Sequence, residues 1–150
     1  MADVKNRVSL HLVWTTYDRL PKLTPEVMEV VHQCVRAAGD ALRCPVIAIG
    51  GVEDHLHVLV HFSTTVKIAV LTQEMKGYSS RVVNERFPER NFKWQGGYGV
   101  FPVSPGVKAT VENYIARQAE HHAKQTIIAS LEDTGFPVRG GALESQKPGF

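Results

Sequence analysis

A chain of 150 residues, 43% of them hydrophobic, is long enough for one domain with a buried core and too short for two of ordinary size. A formal charge of +2 permits a nucleic-acid partner without demanding one, and the two cysteines, Cys34 and Cys44, form neither a CxxC unit nor a disulfide framework, so both are expected as reduced thiols. No run of about 18 apolar residues occurs and the first seven residues lack the apolar core of a signal peptide, so a soluble, cytoplasmic protein without membrane attachment is expected.

Residues 8–16 are rich in β-branched and aromatic side chains that partly alternate, which predicts a first strand. A polar connection over residues 17–23 leads to Thr24-Pro25-Glu26, a capping hydroxyl followed by proline and an acid, as at a helix start. Val27, Val30, Val31, Cys34, Val35 and Ala38 then recur at three- and four-residue steps, the stripe of a first helix ending near residues 39–43. Pro45 opens a second strand over residues 46–52, in which Gly50 and Gly51 suggest a bulge. Only Glu53 and Asp54 separate it from a third strand, so the two are expected to pair as a tight hairpin.

Residues 65–87 predict a second helix, with Val66, Ala69, Val70 and Gln73 at helical spacing. Lys67, Lys76, Arg81 and Arg86 stand on it among fewer acids, an exposed face suited to solvent that could also touch phosphates. Residues 94–99, Trp94-Gln95-Gly96-Gly97-Tyr98-Gly99, form a glycine-rich turn into a short strand, which Pro102 confines to a sheet edge or an early end. The turn lacks the lysine and spacing of a phosphate loop. Pro105 and Gly106 break the chain before a third helix over about residues 107–128, with Val107, Val111, Ile115 and Ala119 as its buried stripe.

This order matches an α+β, ferredoxin-like (split βαβ) fold: an antiparallel sheet with helices on one face, the other face open to a ligand, and an additional C-terminal helix. Residues 1–133 are expected to form the single domain, and the glycine- and proline-rich residues 134–150 a flexible tail.

Chemistry concentrates in the third strand, Glu53-Asp54-His55-Leu56-His57-Val58-Leu59-Val60-His61-Phe62. Alternation puts Leu56, Val58, Val60 and Phe62 on one face, and His55, His57, Leu59 and His61 on the other. His55 and His57 thus stand roughly 6 to 7 Å apart at the backbone, within reach of one metal ion. A solvated face carrying histidine fits the same pattern, and the tripeptide alone does not choose. His61 lies about 13 Å further along the strand and reads as a solvated or DNA-facing residue. On the third helix Tyr114 and Gln118 are four residues apart and share a face, with His121 and His122 one turn further. Tyr114 sits beside the apolar stripe, where a tyrosine ordinarily packs half-buried.

Taken together, the His55-Leu56-His57 strand, the glycine-rich turn and the helix Tyr114-Ile115-Ala116-Arg117-Gln118-Ala119-Glu120-His121-His122 closely resemble the single-tyrosine HUH transposases of small insertion sequences that move as single-stranded DNA. REP-associated tyrosine transposases are close relatives of that family. The likeness runs from about Leu10, through His11-Leu12-Val13-Trp14-Thr15-Thr16, to Lys124. It implies that His55 and His57 are metal ligands, Gln118 the third protein ligand, Tyr114 the nucleophile and magnesium or manganese the metal, with His122 and His121 as further candidates. The same likeness implies a homodimer that cleaves and rejoins single-stranded DNA at hairpin-bearing element ends through a 5′-phosphotyrosine. Tyr17, Tyr78 and Tyr98 lack a potential ligand four residues further on a helix and rank below Tyr114. After Lys124 the family often continues into an acidic, partly helical segment, whereas this chain turns glycine-rich.

Two other readings suit a ferredoxin-like sheet. One is a non-catalytic module that binds single-stranded nucleic acid through aromatics on the open face, disfavoured by the histidines there. The other is a metal-activated hydrolase, disfavoured because Asp54 is expected on the opposite strand face and Glu120 off the Tyr114 line.

Overall fold

The computed structural model describes residues 5–118, so His121, His122, the residue-133 boundary, the tail and the expected end of the third helix lie outside the described residues. Four strands, β1 (Ser9–Thr15), β2 (Val46–Val52), β3 (His55–His61) and β4 (Gly99–Val103), form one sheet in the order β2-β3-β1-β4. Every neighbouring pair is antiparallel. Helices α1 (Pro25–Ala41) and α2 (Ile68–Arg86) join the strands, and α3 (Lys108–Ala116) follows β4. This is the expected α+β, split βαβ topology, with the proline-bearing β4 at the edge. Among the described residues no helix is long and apolar enough to cross a membrane.

Sequence chemistry accounts for α1 in detail. The Thr24 hydroxyl accepts from Val27 N–H at 3.4 Å, Pro25 occupies the first turn, and all six residues of the expected stripe are buried. Cys34 and Cys44 are buried free thiols, and burial pushes the Cys34 thiol up. The second helix departs from expectation. It buries Leu71, Thr72, Met75, Ser79 and Val83, while Ala69, Val70 and Gln73 are exposed and Val66 packs half-buried ahead of it. Hydrophobicity points to Val70, but the 71-75-79-83 row is the one turned towards α1 and the sheet.

Leu10, Leu12 and Trp14 of β1 and Leu56, Val58 and Val60 of β3 meet α1 and α2 in the main core. A smaller core lies on the opposite face, where α3 sets Val111 and Ile115 against Ala48, Leu59 and Val103. That face is therefore not open along its whole extent. Val107 precedes α3 in a 3-10 turn and is 49% exposed, so it does not belong to the expected buried stripe; Ala119 lies outside the described residues.

Gly50 and Gly51 form no bulge. The register shift falls between Val46 and Ala48, leaving Ile47 as the extra residue. Gly50 instead lets α3 approach, since a Cβ there would collide with the carbonyl oxygen of Ile115. Gly50→Ala is therefore expected to lift α3 from the sheet and to cost about 1–3 kcal/mol of stability, read as a lower midpoint in urea unfolding; an unchanged midpoint contradicts this packing.

His32 on α1 is partly buried, and burial together with the Arg36 charge lowers its pKa. As pH falls through the ordinary imidazole value of about 6.5, the unfolded chain takes up the proton before the folded one, so stability is lost. His32→Gln should consequently gain stability relative to the parent between about pH 7.5 and about pH 5.5, measured by urea unfolding at each pH.

Candidate active site

Pairing across the sheet places three imidazoles on the face covered by α3. In register, His55 lies opposite Thr15, His57 opposite Val13 on one side and Gly50 on the other, and His11 opposite Leu59. His11 and His57 are fully buried and His55 is 3% exposed, so this end of the face is not the solvated surface that the tripeptide equally allowed. His55 and His57 have ring centroids 5.1 Å apart at an interplanar angle of 70°. His61 lies towards the other end of β3 and is half-buried.

Each of the two imidazoles has its Nδ1 engaged. Nδ1 of His55 is 2.7 Å from Oδ1 of Asp54, whose Oδ2 is 3.7 Å from the Arg19 guanidinium. Asp54 is therefore beside His55 rather than on the opposite face: it belongs to the hairpin turn, where strand alternation does not apply. Thr16 N–H donates to Asp54 O at 2.9 Å and Leu23 N–H to Glu53 O at 3.0 Å, tying that turn to the chain beyond β1. Nδ1 of His57 is 2.8 Å from Nε2 of His11.

Tyr114 reaches this cluster from α3. It is 4% exposed, and its ring lies 6.1 Å from that of His57, edge to face at 78°. The helix breaks at Arg117 (φ −113°, ψ 30°), after which Gln118 still turns inward, 2% exposed. Nε2 of Gln118 donates to Tyr114 O at 3.4 Å, while its buried Oε1 has no hydrogen-bond partner among the described residues. Tyr17 and Tyr78 are exposed, and Tyr98 packs against the main core.

The glycine-rich turn borders the cluster. Gln95 N–H donates to Thr15 O at 3.0 Å, next to His55 in register, and Trp94 Nε1 donates to the buried Ser79 hydroxyl at 2.9 Å. Lys76 gives its ammonium to Gln95 O at 2.7 Å and Gly97 O at 2.9 Å, and burial lowers its pKa. Lys76 thus straps the turn to α2, whereas Lys67, Arg81 and Arg86 are exposed.

The family model for IS200-like transposases matches residues 4–118, more than half of the chain. The chain belongs to the IS200-like transposase family. This IS200-like transposase is 25% identical over 118 residues to the ISDra2 transposase TnpA of Deinococcus radiodurans, covering 75% of its own length and 84% of that relative. A crystal structure assigned to a transposase from the same organism superposes with a TM-score of 0.62 at 24% identity, over 79% of this chain and 98% of that one. The structure of a REP-associated tyrosine transposase bound to a REP hairpin gives 0.60 at 11% identity, over 81% and 74% of the two chains. At those identities the two structures establish the fold, a four-stranded antiparallel sheet with helices.

Sequence reasoning gave no role to His11 and misplaced Asp54. A histidine inside the apolar run Leu10-His11-Leu12-Val13-Trp14 was the available signal, because a buried imidazole there needs a polar partner. Asp54 carried no comparable signal, since only the hairpin geometry folds its carboxylate back.

Proposed function

We propose that this transposase cleaves and rejoins single-stranded DNA at element ends through a 5′-phosphotyrosine formed on Tyr114, with a divalent metal held by His55, His57 and Gln118. The observation that supports the reading most directly is the joint burial of the Tyr114 ring against His57 and of Gln118 just past the end of α3. Gln118 Oε1, a buried acceptor without a partner among the described residues, is a donor atom of the kind hard cations take. No group of three or more His, Cys, Asp or Glu residues among the described residues is disposed to hold a metal; on this reading the described ligands are two imidazoles and one amide oxygen, with His122 and His121, outside the described residues, as further candidates. Such a set fits magnesium or manganese that retains open positions for phosphate oxygens.

When bound, the ion supplies polarisation of the scissile phosphate and stabilisation of the charge that develops on the leaving oxygen. The Tyr114 hydroxyl attacks phosphorus and the bond to the 3′ oxygen breaks; the phenolic proton passes to solvent and the leaving 3′ oxygen takes one from solvent to become a 3′-hydroxyl, so no net proton is consumed. Because the phosphotyrosine bond is a phosphodiester like the one cleaved, attack by a second 3′-hydroxyl rejoins DNA without ATP. Asp54 accepts from Nδ1 of His55 and so presents the opposite nitrogen to the ion. Arg81 and Arg86 on α2 and Lys67 just before it stand exposed, where they would meet DNA phosphates and set affinity rather than sequence preference.

Residues 1–133 act on this reading as one catalytic domain that works as a homodimer in the cytoplasm on hairpin-bearing ends, as the REP-associated relative's bound hairpin suggests. A module that binds nucleic acid without cutting it is disfavoured by the same face, which carries buried imidazoles under α3 in place of exposed aromatics.

Denaturing gels of the protein with single-stranded DNA from both flanks of its gene, with manganese or with chelator, test the chemistry. A metal-dependent shifted band is expected and should disappear in Tyr114→Phe while DNA binding persists; an adduct that survives the substitution removes Tyr114 from the reaction. His55→Ala and His57→Ala should each weaken manganese binding in calorimetry by at least about tenfold, and unchanged binding removes them as ligands.

A further inference from the structure

His11 is a costly residue for the centre of β1. The strand is buried along its whole length and paired on both sides, and an apolar residue at that position would bury without desolvating a polar ring. Its place in register is diagonal to His57, because His11 faces Leu59 and Val13 faces His57. From that diagonal its Nε2 comes within 2.8 Å of Nδ1 of His57, with the two ring planes only 19° apart and the centroids separated by 5.1 Å. Phe101 on β4 closes in from the other side, its ring centroid 6.0 Å from that of His11. A nitrogen-to-nitrogen distance of 2.8 Å is a hydrogen bond, and one proton must lie between the two rings.

We infer that His11 is a positioning residue for His57: it accepts the Nδ1–H of His57 and so leaves Nε2 of His57 as the nitrogen that faces the metal. The inference rests on the reading of His57 as a ligand. A neutral imidazole carries one proton, and a ring that ligates through Nε2 must hold that proton on Nδ1. His57 is then the donor, His11 Nε2 the acceptor, and the proton of His11 sits on its own Nδ1. The ring of His57 is held in place by the same bond. Asp54 does the corresponding work at His55 with a carboxylate. The two imidazoles of the motif are thus held by different partners from different elements, one from the hairpin turn and one from the neighbouring strand.

Long-range proton–nitrogen correlation spectra of the histidine rings in the metal-free full chain read the tautomer directly. His57 should be protonated on Nδ1 in the parent and should shift towards the Nε2–H form in His11→Phe, which keeps a ring but removes the acceptor. Manganese affinity, measured by calorimetry, should fall about 10- to 100-fold in His11→Phe. His11→Gln, whose amide oxygen reaches as far as the imidazole Nε2, should stay near the parent, while the shorter His11→Asn should fall with Phe. Should His11→Phe fail to fold, the Gln and Asn pair carries the comparison. An unchanged His57 tautomer with equal affinity in the variants overturns the role of His11. A parent that binds no manganese through His57 overturns the ligand reading instead, and the metal-free spectra still report on the bond to His11.

Discussion

The close approach of α3 to β2 at Gly50 governs how the histidine face is used. Gly50 lies opposite His57 in register, and the space that its missing side chain leaves is filled by the Ile115 carbonyl. Tyr114 is the preceding residue of the same helix, so the contact that seats the backbone also brings the phenol ring against His57. Any larger residue at this position would separate the two halves of the candidate site by displacing a whole helix, because packed backbones do not yield locally.

Burial gives this arrangement its chemical character. His11, His55, His57, Tyr114 and Gln118 are withdrawn from water together, in a region where each polar atom counts for more than at the surface. The engaged Nδ1 atoms reduce the freedom of the two imidazoles to one usable orientation each. Polar groups packed in this way hold a set geometry before any ligand arrives, the condition that electrostatic preorganisation requires.

Support for the site comes from structure that is not itself chemical. The glycine-rich turn is tied to β1 beside Thr15, to α2 through Lys76 and to the core through Trp94 and Ser79. A tight turn held at three points fixes the end of β1 nearest His55. It also explains why Lys76 is withdrawn into the molecule while Lys67, Arg81 and Arg86 stand exposed.

Much of the fold was legible because its signals are local. Thr24 and Pro25 start α1, its six-residue stripe has one consistent period, and strand alternation assigns His55 and His57 to one face whatever lies above it. The misreadings share a different cause. The buried row of α2, the bulge at Ile47, the exposure of Val107 and the return of Asp54 towards His55 all depend on which neighbour occupies the adjoining space. The sequence by itself determined the order of elements, the split βαβ class and the candidate residues, since period and capping act within a few positions along the chain. Only the tertiary structure decided that the histidine face is buried under α3, that Tyr114 meets His57, and that His11 and Asp54 engage the two imidazoles. Those outcomes join residues far apart in sequence, and three-dimensional packing alone selects among them.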